Sequence, residues 1–398
     1  MHLNWIKPLL GRPAPFTTVY LDATRDDATG AADVQARWKV LRRQLERDGA
    51  PAAVLGDVDE LLRRPTGVPG PHGRVVVADA EGVVLDRVLT EPPAQSSATC
   101  GPVPVLLPAA RAADESTSYL LVEVDRQGAD LTWSDGTGRR AVDEEGVEGG
   151  HDVLHKVREG GLSHRRMQAR VEDSWERNAE TVAAELDKQV VERRPELVLL
   201  TGDVRAVALV KDAVGQAVRD LLVEVPGGSR AEGVNRAAFD ERVAQVLAEH
   251  CARRREQVLD RFREGLGRGE EAVTSLSDVV AVLQRGQVAE LVLGEPAPGA
   301  SWTPDEHEVW VGDGPLELAT SREDLDAIGA TGEPRRMPAA VALVRAAVGQ
   351  DAGLTFAPDG SVELADGVGA VLRWSDGSTP RESVLSQSGD AARVHNVP

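Results

Sequence analysis

A pair of glycines followed by basic residues is the stretch of this chain best suited to close contact with a nucleic acid. Gly160 and Gly161 have no Cβ atoms, so the backbone here can approach a crowded surface closely. Residues 158–170 contain four arginines and one acid, Glu159. Arginine contacts phosphate through a planar, forked guanidinium group. The candidate RNA-binding residues are Lys156, Arg158, Gly160, Gly161, Leu162, Ser163, His164, Arg165, Arg166 and Arg170.

The spacing of residues 158–170 also fits an ordinary surface loop that leads into a helix with a solvated charged face. On spacing alone this second interpretation is favoured. The chain carries a net charge of −20, which argues against a protein that wraps nucleic acid over a broad basic surface. Any contact with RNA must therefore be local.

Other groups of polar residues give no strong catalytic signal. His151 and His155 are four residues apart, as in zinc peptidases, but the Glu which that pattern requires is absent. If this segment is a strand, four residues span about 13 Å, which is too far for one metal ion. Asp125, Asp130 and Asp203 are candidates for a divalent cation, although aspartates at turns and helix starts have ordinary structural uses. The sequence predicts no catalytic residue, no metal site and no cofactor.

The elements that must position these residues alternate between strands and helices, which predicts an α/β protein. With 398 residues the chain is too long for one ordinary domain. The predicted divisions are an N-terminal α/β domain over 1–115, a middle domain with the Gly-Gly loop over 116–264, a C-terminal α/β domain over 265–380, and a polar, disordered tail over 381–398.

The N-terminal domain is predicted to contain a strand, a helix and a hairpin. The strand covers 16–21, and the hairpin covers 74–89 with Gly82 in its turn, where a positive φ is needed. Proline and small residues over 92–113 predict a loop-rich exit. The helix, over 31–47, has an apolar face made of Val34, Trp38, Leu41 and Leu45.

The middle domain is predicted to begin with a hairpin over 119–133. A long helix follows the glycines and ends at Pro195, and a buried strand over 197–200 leads into a turn at 201–203. The buried side of the long helix is predicted to be Met167, Val171, Trp175, Val182, Leu186 and Val190.

The C-terminal domain is predicted to follow a charged helix over 236–263. Gly265, Gly267 and Gly269 predict a hinge between domains, and because they do not follow a strand they do not indicate a dinucleotide site or a P-loop. The predicted elements are a helix over 276–284, a strand over 291–293, a helix over 338–348 and a strand over 368–374.

The order of these elements resembles a known family. The hairpin, the segment 153–156, the Gly-Gly loop, the arginine-rich helix and the strand over 197–200 resemble the middle domain of archaeo-eukaryotic class-1 release factors and of Pelota. Residues 277–293 and 366–373 resemble the opening and the last strand of their C-terminal domain. The whole chain resembles bacterial members of this superfamily, among them the Balon-type ribosome-hibernation factors of actinobacteria. This resemblance implies three domains in release-factor order, with mixed sheets in the middle and C-terminal domains.

The resemblance also implies a function for the Gly-Gly loop, although this chain differs from release factors at one position of the loop. In release factors the loop reads Gly-Gly-Gln and enters the peptidyl-transferase centre, where it places water against the peptidyl-tRNA ester. This chain has Leu162 at the Gln position, and a leucine side chain can neither donate nor accept a hydrogen bond. Residues 1–115 also lack the Asn-Ile-Lys-Ser motif that reads stop codons. The resemblance therefore implies a factor in the ribosomal A site, in hibernation or rescue, without efficient peptide release.

The expected partners are ribosomal RNA and, through the C-terminal domain, a translational GTPase such as elongation factor Tu. Two alternatives stay open: a peptidyl-tRNA hydrolase or release-factor-like esterase, and a stress-associated binding protein with no ribosomal role, which suits the acidity best. No apolar run approaches the roughly 20 residues needed to span a bilayer, and the first residues show no signal pattern. Cys100 and Cys251 are far apart, so we expect a reduced, cytoplasmic protein with no membrane partner.

Overall fold

The structure is a computed structural model that describes residues 4–25, 30–68, 70–136, 144–148, 163–230, 235–295, 307–377 and 379–380. It confirms the α/β class. The chain divides into two compact units, one formed by residues 12–253 and the other by residues 1–11 with 254–398. The three-domain division stays a prediction. No helix within the described ranges is long and apolar enough to cross a membrane.

The unit of residues 12–253 begins with an antiparallel sheet in the order β3-β2-β1-β4. The predicted strand, helix and hairpin are all present, and Gly82 has a φ of 139° in the hairpin turn. Trp38 on the first helix is buried against the sheet. The elements are β1 Phe16–Asp22, α1 Gly30–Arg47, α2 Ala52–Arg63, β2 Gly73–Asp79, β3 Gly82–Leu89, β4 Ser97–Gly101 and α3 Leu107–Asp114.

The predicted loop-rich exit over 92–113 is wrong, because β4 lies within it and α3 begins there. Small residues form these elements since they allow close packing. Ala98 on β4 is buried against the core, and the buried face of α3 is mostly alanine. Pro108 lies in the first turn of α3, where its missing N–H costs nothing.

A second, mixed sheet of the same unit has the order β7-β6-β5-β8-β9. β5, β8 and β9 run parallel, whereas β6 and β7 pair antiparallel. The predicted hairpin and buried strand are confirmed. The elements are β5 Tyr119–Val124, β6 Gly128–Ser134, β7 Glu144–Glu148, α4 Ser163–Arg193, β8 Leu197–Gly202, α5 Val204–Ala213, α6 Gln216–Leu221, β9 Leu222–Glu224 and α7 Arg236–Arg268, whose residues from 254 onward belong to the other unit.

The predicted hinge at 265–269 is also wrong. Gly265 and Gly267 lie inside α7, which ends at Arg268. Gly265 has a packing reason to lack a side chain, since a Cβ atom there would come within 2.8 Å of the Cβ of Ala272. A glycine inside a helix costs about 1 kcal/mol relative to alanine, which close packing of this kind offsets.

The other unit contains a mixed sheet in the order β10-β16-β11-β15 and a small sheet in the order β13-β12-β14. The predicted helices α8 and α10 and strands β11 and β16 are confirmed, whereas β15 and the small sheet were not predicted. The elements are β10 Ala272–Thr274, α8 Leu276–Gln284, β11 Val288–Gly294, β12 Glu308–Val311, β13 Leu318–Ala319, α9 Arg322–Ala327, β14 Arg335–Pro338, α10 Ala339–Gly349, β15 Gly353–Ala357 and β16 Val368–Leu372. The predicted tail over 381–398 lies outside the described residues.

Candidate nucleic-acid interface

The predicted RNA-binding residues fall partly outside the described structure. Outside it lie Lys156, Arg158, Gly160, Gly161 and Leu162, together with the two histidines considered for a metal, His151 and His155. The remaining candidates lie in the first turns of α4: Ser163, His164, Arg165, Arg166 and Arg170. For residues 163–174 the structure describes the helical backbone and not the side chains. The site itself stays a prediction, and the structure describes the elements that carry it.

The long helix α4 is anchored through its second half. It has 31 residues and is about 46 Å long at 1.5 Å per residue. Among its described side chains, buried residues begin at Ala179 and continue through Leu186 to Val190, packed with the apolar side of the sheet. Ser163 lies about 24 Å along the helix axis from Ala179. The predicted basic segment is therefore carried at the far end of a helix whose other half is held by the core.

Trp175 lies between these two halves and contacts two arginines. The guanidinium carbon of Arg126 is 4.8 Å from the centroid of the indole, and that of Arg205 is 4.6 Å away. Both distances are within the range of a cation–π interaction. Asn178, one turn further along α4, donates a hydrogen bond of 3.0 Å to the carbonyl of Arg126. We call Arg126, Trp175 and Arg205 the Arg–Trp cluster.

The Arg–Trp cluster lies where two parallel strands end. Arg126 follows the end of β5, and Arg205 is in the first turn of α5, which follows β8. The carboxyl ends of parallel strands form a crevice in which open α/β sheets commonly bind ligands. Here that edge borders a small cleft, lined by Val124, Asp125, Arg126, Gly128, Trp175, Asn178, Ala179, Val182, Ala206, Leu209 and Val210.

The aspartates considered for a metal ion have structural partners at this edge. Asp125 accepts hydrogen bonds from the backbone N–H groups of Gln127 and Gly128, which closes the β5–β6 turn. Arg230 lies 2.9 Å from Asp125 and 2.9 Å from Asp130, and these carboxylates, Asp130 first, raise the pKa of its guanidinium group. Within the described residues no group of three His, Cys, Asp or Glu side chains is arranged to hold a metal ion.

The third of these aspartates, Asp203, is the N-cap of α5. It accepts backbone hydrogen bonds from Arg205 at 3.0 Å and Ala206 at 3.2 Å, and its Oδ2 is 3.5 Å from the Nε of Arg126. Two arginine side chains thus pair with the three aspartates, Arg230 with Asp125 and Asp130 and Arg126 with Asp203.

The Arg–Trp cluster is not predicted by the sequence. The helical spacing predicts Trp175 on the buried side of α4, whereas the indole is half-buried and lines the cleft. The sequence feature that points to the cluster is an arginine shortly after each of two predicted strands, Arg126 after β5 and Arg205 after β8. That signal becomes specific only when the two strands are known to be parallel neighbours.

Comparison with known proteins gives a family match over part of the chain. Residues 118–268, which contain β5 to α7, match the family model described as bacterial archaeo-eukaryotic release factor family 2. The chain is also 27% identical over 380 residues to the uncharacterized proteins Rv2629 and MT2704 of two Mycobacterium tuberculosis strains, covering 94% of this chain and 96% of each relative.

Two solved structures show a low-identity likeness over most of the chain. Dom34 of S. cerevisiae, a translation termination-like factor, is 9% identical with a TM-score of 0.40, covering 78% of this chain and 81% of that one. The archaeal translation termination factor aRF1 is 17% identical with a TM-score of 0.23, covering 93% of this chain and 96% of that one. These scores are low, and the family assignment depends on the sequence match.

The family recognised from the sequence is thereby confirmed. The match covers residues 118–268, and over that segment the sequence is similar to the bacterial archaeo-eukaryotic release-factor-like proteins. The predicted Gly-Gly loop lies within the matched segment, immediately before α4. The narrower assignment to the Balon-type subgroup stays a prediction.

Proposed function

We propose that this protein is a ribosome-binding translation factor that occupies the A site during hibernation or rescue, without efficient peptide release. One observation carries the proposal. A segment that matches a release-factor family contains Gly160 and Gly161 followed by Leu162, where release factors of this type have Gln. The loop keeps the glycines that allow close approach and lacks the side chain that orients water.

The architecture of the middle region supports delivery of this loop over a long distance. α4 begins at Ser163, directly after the loop, and its buried anchor starts about 24 Å further along the axis. A helix fixed at one end holds its other end in a defined direction. This arrangement suits a tip that must reach a site deep within a large RNA assembly.

The remaining parts of the proposal follow the resemblance. The N-terminal domain faces the decoding centre, and the C-terminal domain binds a translational GTPase such as elongation factor Tu. The net charge of −20 opposes binding to RNA at long range. Salt screens exposed charges beyond about 8–10 Å at physiological ionic strength, so a local basic tip is able to bind despite that charge.

Co-sedimentation with ribosomes tests the proposal. The purified protein is expected to pellet with ribosomes from stationary-phase cells at low salt. A variant with Arg165→Ala, Arg166→Ala and Arg170→Ala is expected to bind about tenfold more weakly and with a smaller salt dependence, because each phosphate contact contributes to both.

A matched control removes three arginines from α7 instead. Arg253, Arg261 and Arg268 are exposed on that helix, so replacing them with alanine changes the net charge equally without touching α4. Equal loss of binding in the two variants would contradict a role for the predicted tip. A wild-type protein that stays in the supernatant at low salt would reject the proposal and favour a binding protein with no ribosomal role.

A second candidate function is favoured by the family match itself, since release factors cleave an ester. In this alternative the protein hydrolyses peptidyl-tRNA, using the backbone N–H at Leu162 and an ordered water molecule. Incubation with ribosomes loaded with peptidyl-tRNA separates the two candidates. Only the hydrolase predicts that peptide is released at a rate above that of ribosomes alone.

A further inference from the structure

We infer that the Arg–Trp cluster is a second RNA contact, which holds the phosphate backbone of a strand that also contacts the basic start of α4. The inference rests on the proposed function and extends it to a surface outside the loop. It assigns Arg126 and Arg205 to phosphate oxygens and the rim of Trp175 to a neighbouring sugar or base.

The two arginines are accessible and ordered at the same time. The side chain of Arg126 is 61% exposed, and Arg205 is also exposed at the surface. Each guanidinium group lies over the ring of the same indole, within 4.8 Å of its centroid. A side chain already restrained in this way loses less conformational entropy when it binds a ligand.

The backbone around the cluster is fixed by hydrogen bonds. Asn178 bonds the carbonyl of Arg126, and the cap at Asp203 fixes the N–H of Arg205 at the start of α5. Both arginines therefore project from ordered backbone at the ends of strands rather than from long loops. Sites that depend on placed donors need this kind of support.

The charges at this edge permit an anionic ligand. Asp125 and Asp130 form ion pairs with Arg230. Asp203 accepts hydrogen bonds from two backbone N–H groups at the positive end of the α5 dipole. Arg126 has one carboxylate oxygen at 3.5 Å, which is longer than the 2.7–2.9 Å of a strong charge-assisted hydrogen bond. A phosphate is therefore able to compete for its guanidinium group.

The separation between the cluster and the predicted tip favours a polynucleotide over a small anion. Trp175 lies about 15 Å along α4 from Arg165, so the two are far enough apart to contact different phosphates of one strand. Arginine planes and aromatic rings are also the groups on which unpaired bases stack. The cluster and the predicted tip thus suit successive positions on one RNA strand.

The test compares ribosome affinity and the binding of a labelled 12-nucleotide RNA across four full-length proteins. These are the wild type, Arg126→Ala with Arg205→Ala, Arg126→Lys with Arg205→Lys, and a control with Arg193→Ala and Arg253→Ala. The control removes an arginine that lies 5.8 Å from Trp133 near the other end of α4, and an exposed arginine of α7. Thermal unfolding of each protein is followed in parallel.

The alanine pair is expected to weaken both interactions about tenfold and to lower the salt dependence by about two phosphate contacts. The lysine pair is expected to keep the salt dependence and lose part of the affinity, because lysine lacks the planar fork. Affinities of the alanine pair equal to those of the control would overturn the inference. The inference would also be overturned if the alanine pair and the lysine pair lost the same affinity and both unfolded at a lower temperature than the wild type. That pattern would show that the two arginines have a structural role.

Failure of the inference is distinguishable from failure of the proposed function. If the Arg165, Arg166 and Arg170 substitutions release the protein from ribosomes while the alanine pair does not, the A-site proposal stands and the second contact is rejected. If none of the proteins binds ribosomes but binding of the 12-nucleotide RNA is weakened by the Arg126 and Arg205 substitutions, the second contact stands and the A-site proposal is rejected.

Discussion

At the scale of single residues, the proposed loss of release chemistry depends on one side chain. Leu162→Gln restores an amide that is able to both donate and accept hydrogen bonds at the position where release factors have one. We expect this variant to release peptide from ribosomes loaded with peptidyl-tRNA if the loop geometry is otherwise intact. The measurement is the amount of free peptide over time.

Leu162→Asn serves as the control, because it adds an amide on a side chain one methylene shorter. Release by Leu162→Gln and not by Leu162→Asn would show that reach as well as polarity matters. No release by Leu162→Gln on ribosomes that it still binds would contradict a preserved but disabled catalytic loop.

A second residue, Asp79, predicts how stability depends on pH. Its carboxylate is buried, with 1% exposure, and accepts hydrogen bonds from Arg12 at 2.6 Å and from the N–H of Glu81 at 2.8 Å. Burial opposes ionisation, but these donors and the N–H of Gly82 outweigh it and hold the pKa of Asp79 below its ordinary value. A lowered carboxyl pKa contributes stability at neutral pH, and this contribution is lost as pH falls below about 4 toward the folded-state pKa.

Asp79→Asn is expected to lower the free energy of unfolding at pH 7 by about 1–3 kcal/mol, because buried donors lose a charged acceptor. The difference between variant and wild type is expected to shrink below about pH 4, where the wild-type carboxyl also loses its charge. Urea unfolding at pH 7 and at pH 3 measures both values. An equal difference at the two pH values would contradict the depressed pKa.

At the scale of elements, the anchor of α4 predicts where substitutions matter. Leu186 is fully buried in the core between α4 and the sheet, whereas Val191, five residues later, is 71% exposed. Leu186→Ala is expected to cost about 2–5 kcal/mol, and Val191→Ala within about 0.5 kcal/mol. Chemical unfolding of both variants provides the comparison, and similar costs would contradict the assigned buried face.

The elements that the sequence predicts well are those with a clear period. α1, α8 and the β2–β3 hairpin follow from apolar residues at helical or alternating spacing and from a glycine where a turn needs one. Composition was misleading where small residues pack tightly, as in β4, α3 and the glycines inside α7. The small sheet β13-β12-β14 was not predicted because strands of two to four residues are too short to show a period.

One part of the candidate site can be predicted from the sequence, and the other part cannot. The basic segment before and within α4 is contiguous, so the sequence alone predicts it. The Arg–Trp cluster joins residues from a β-turn, from α4 and from the start of α5, which are brought together only by the parallel pairing of β5 and β8. Such a site has no local pattern for a single sequence to reveal.

At the scale of the whole molecule, net charge predicts an unusual dependence of association on salt. A protein of charge −20 is repelled by an RNA surface over about 30 Å at 0.01 M salt but only about 10 Å at 0.1 M. If local arginines supply the attraction, we expect the association rate with ribosomes to rise between these concentrations at fixed magnesium. Equilibrium affinity then falls at higher salt as phosphate contacts weaken.

Stopped-flow mixing with labelled ribosomes measures this rate. The variant without Arg165, Arg166 and Arg170 is expected to show the rise in rate with little later fall in affinity. A rate that decreases steadily from the lowest salt would show that a basic surface, rather than the overall acidity, governs the encounter.

The burial of the second half of α4 has a consequence for how this protein tolerates insertions and deletions. Removing a single residue between Ser163 and Trp175 shortens the reach of the helix by only about 1.5 Å, but it turns everything before Ser163 by about 100° around the axis. Removing seven residues shortens it by about 10 Å and restores the orientation to within about 20°. Insertions and deletions in this segment are therefore expected to be tolerated best when they add or remove two full helical turns, because the orientation of the loop is then nearly kept.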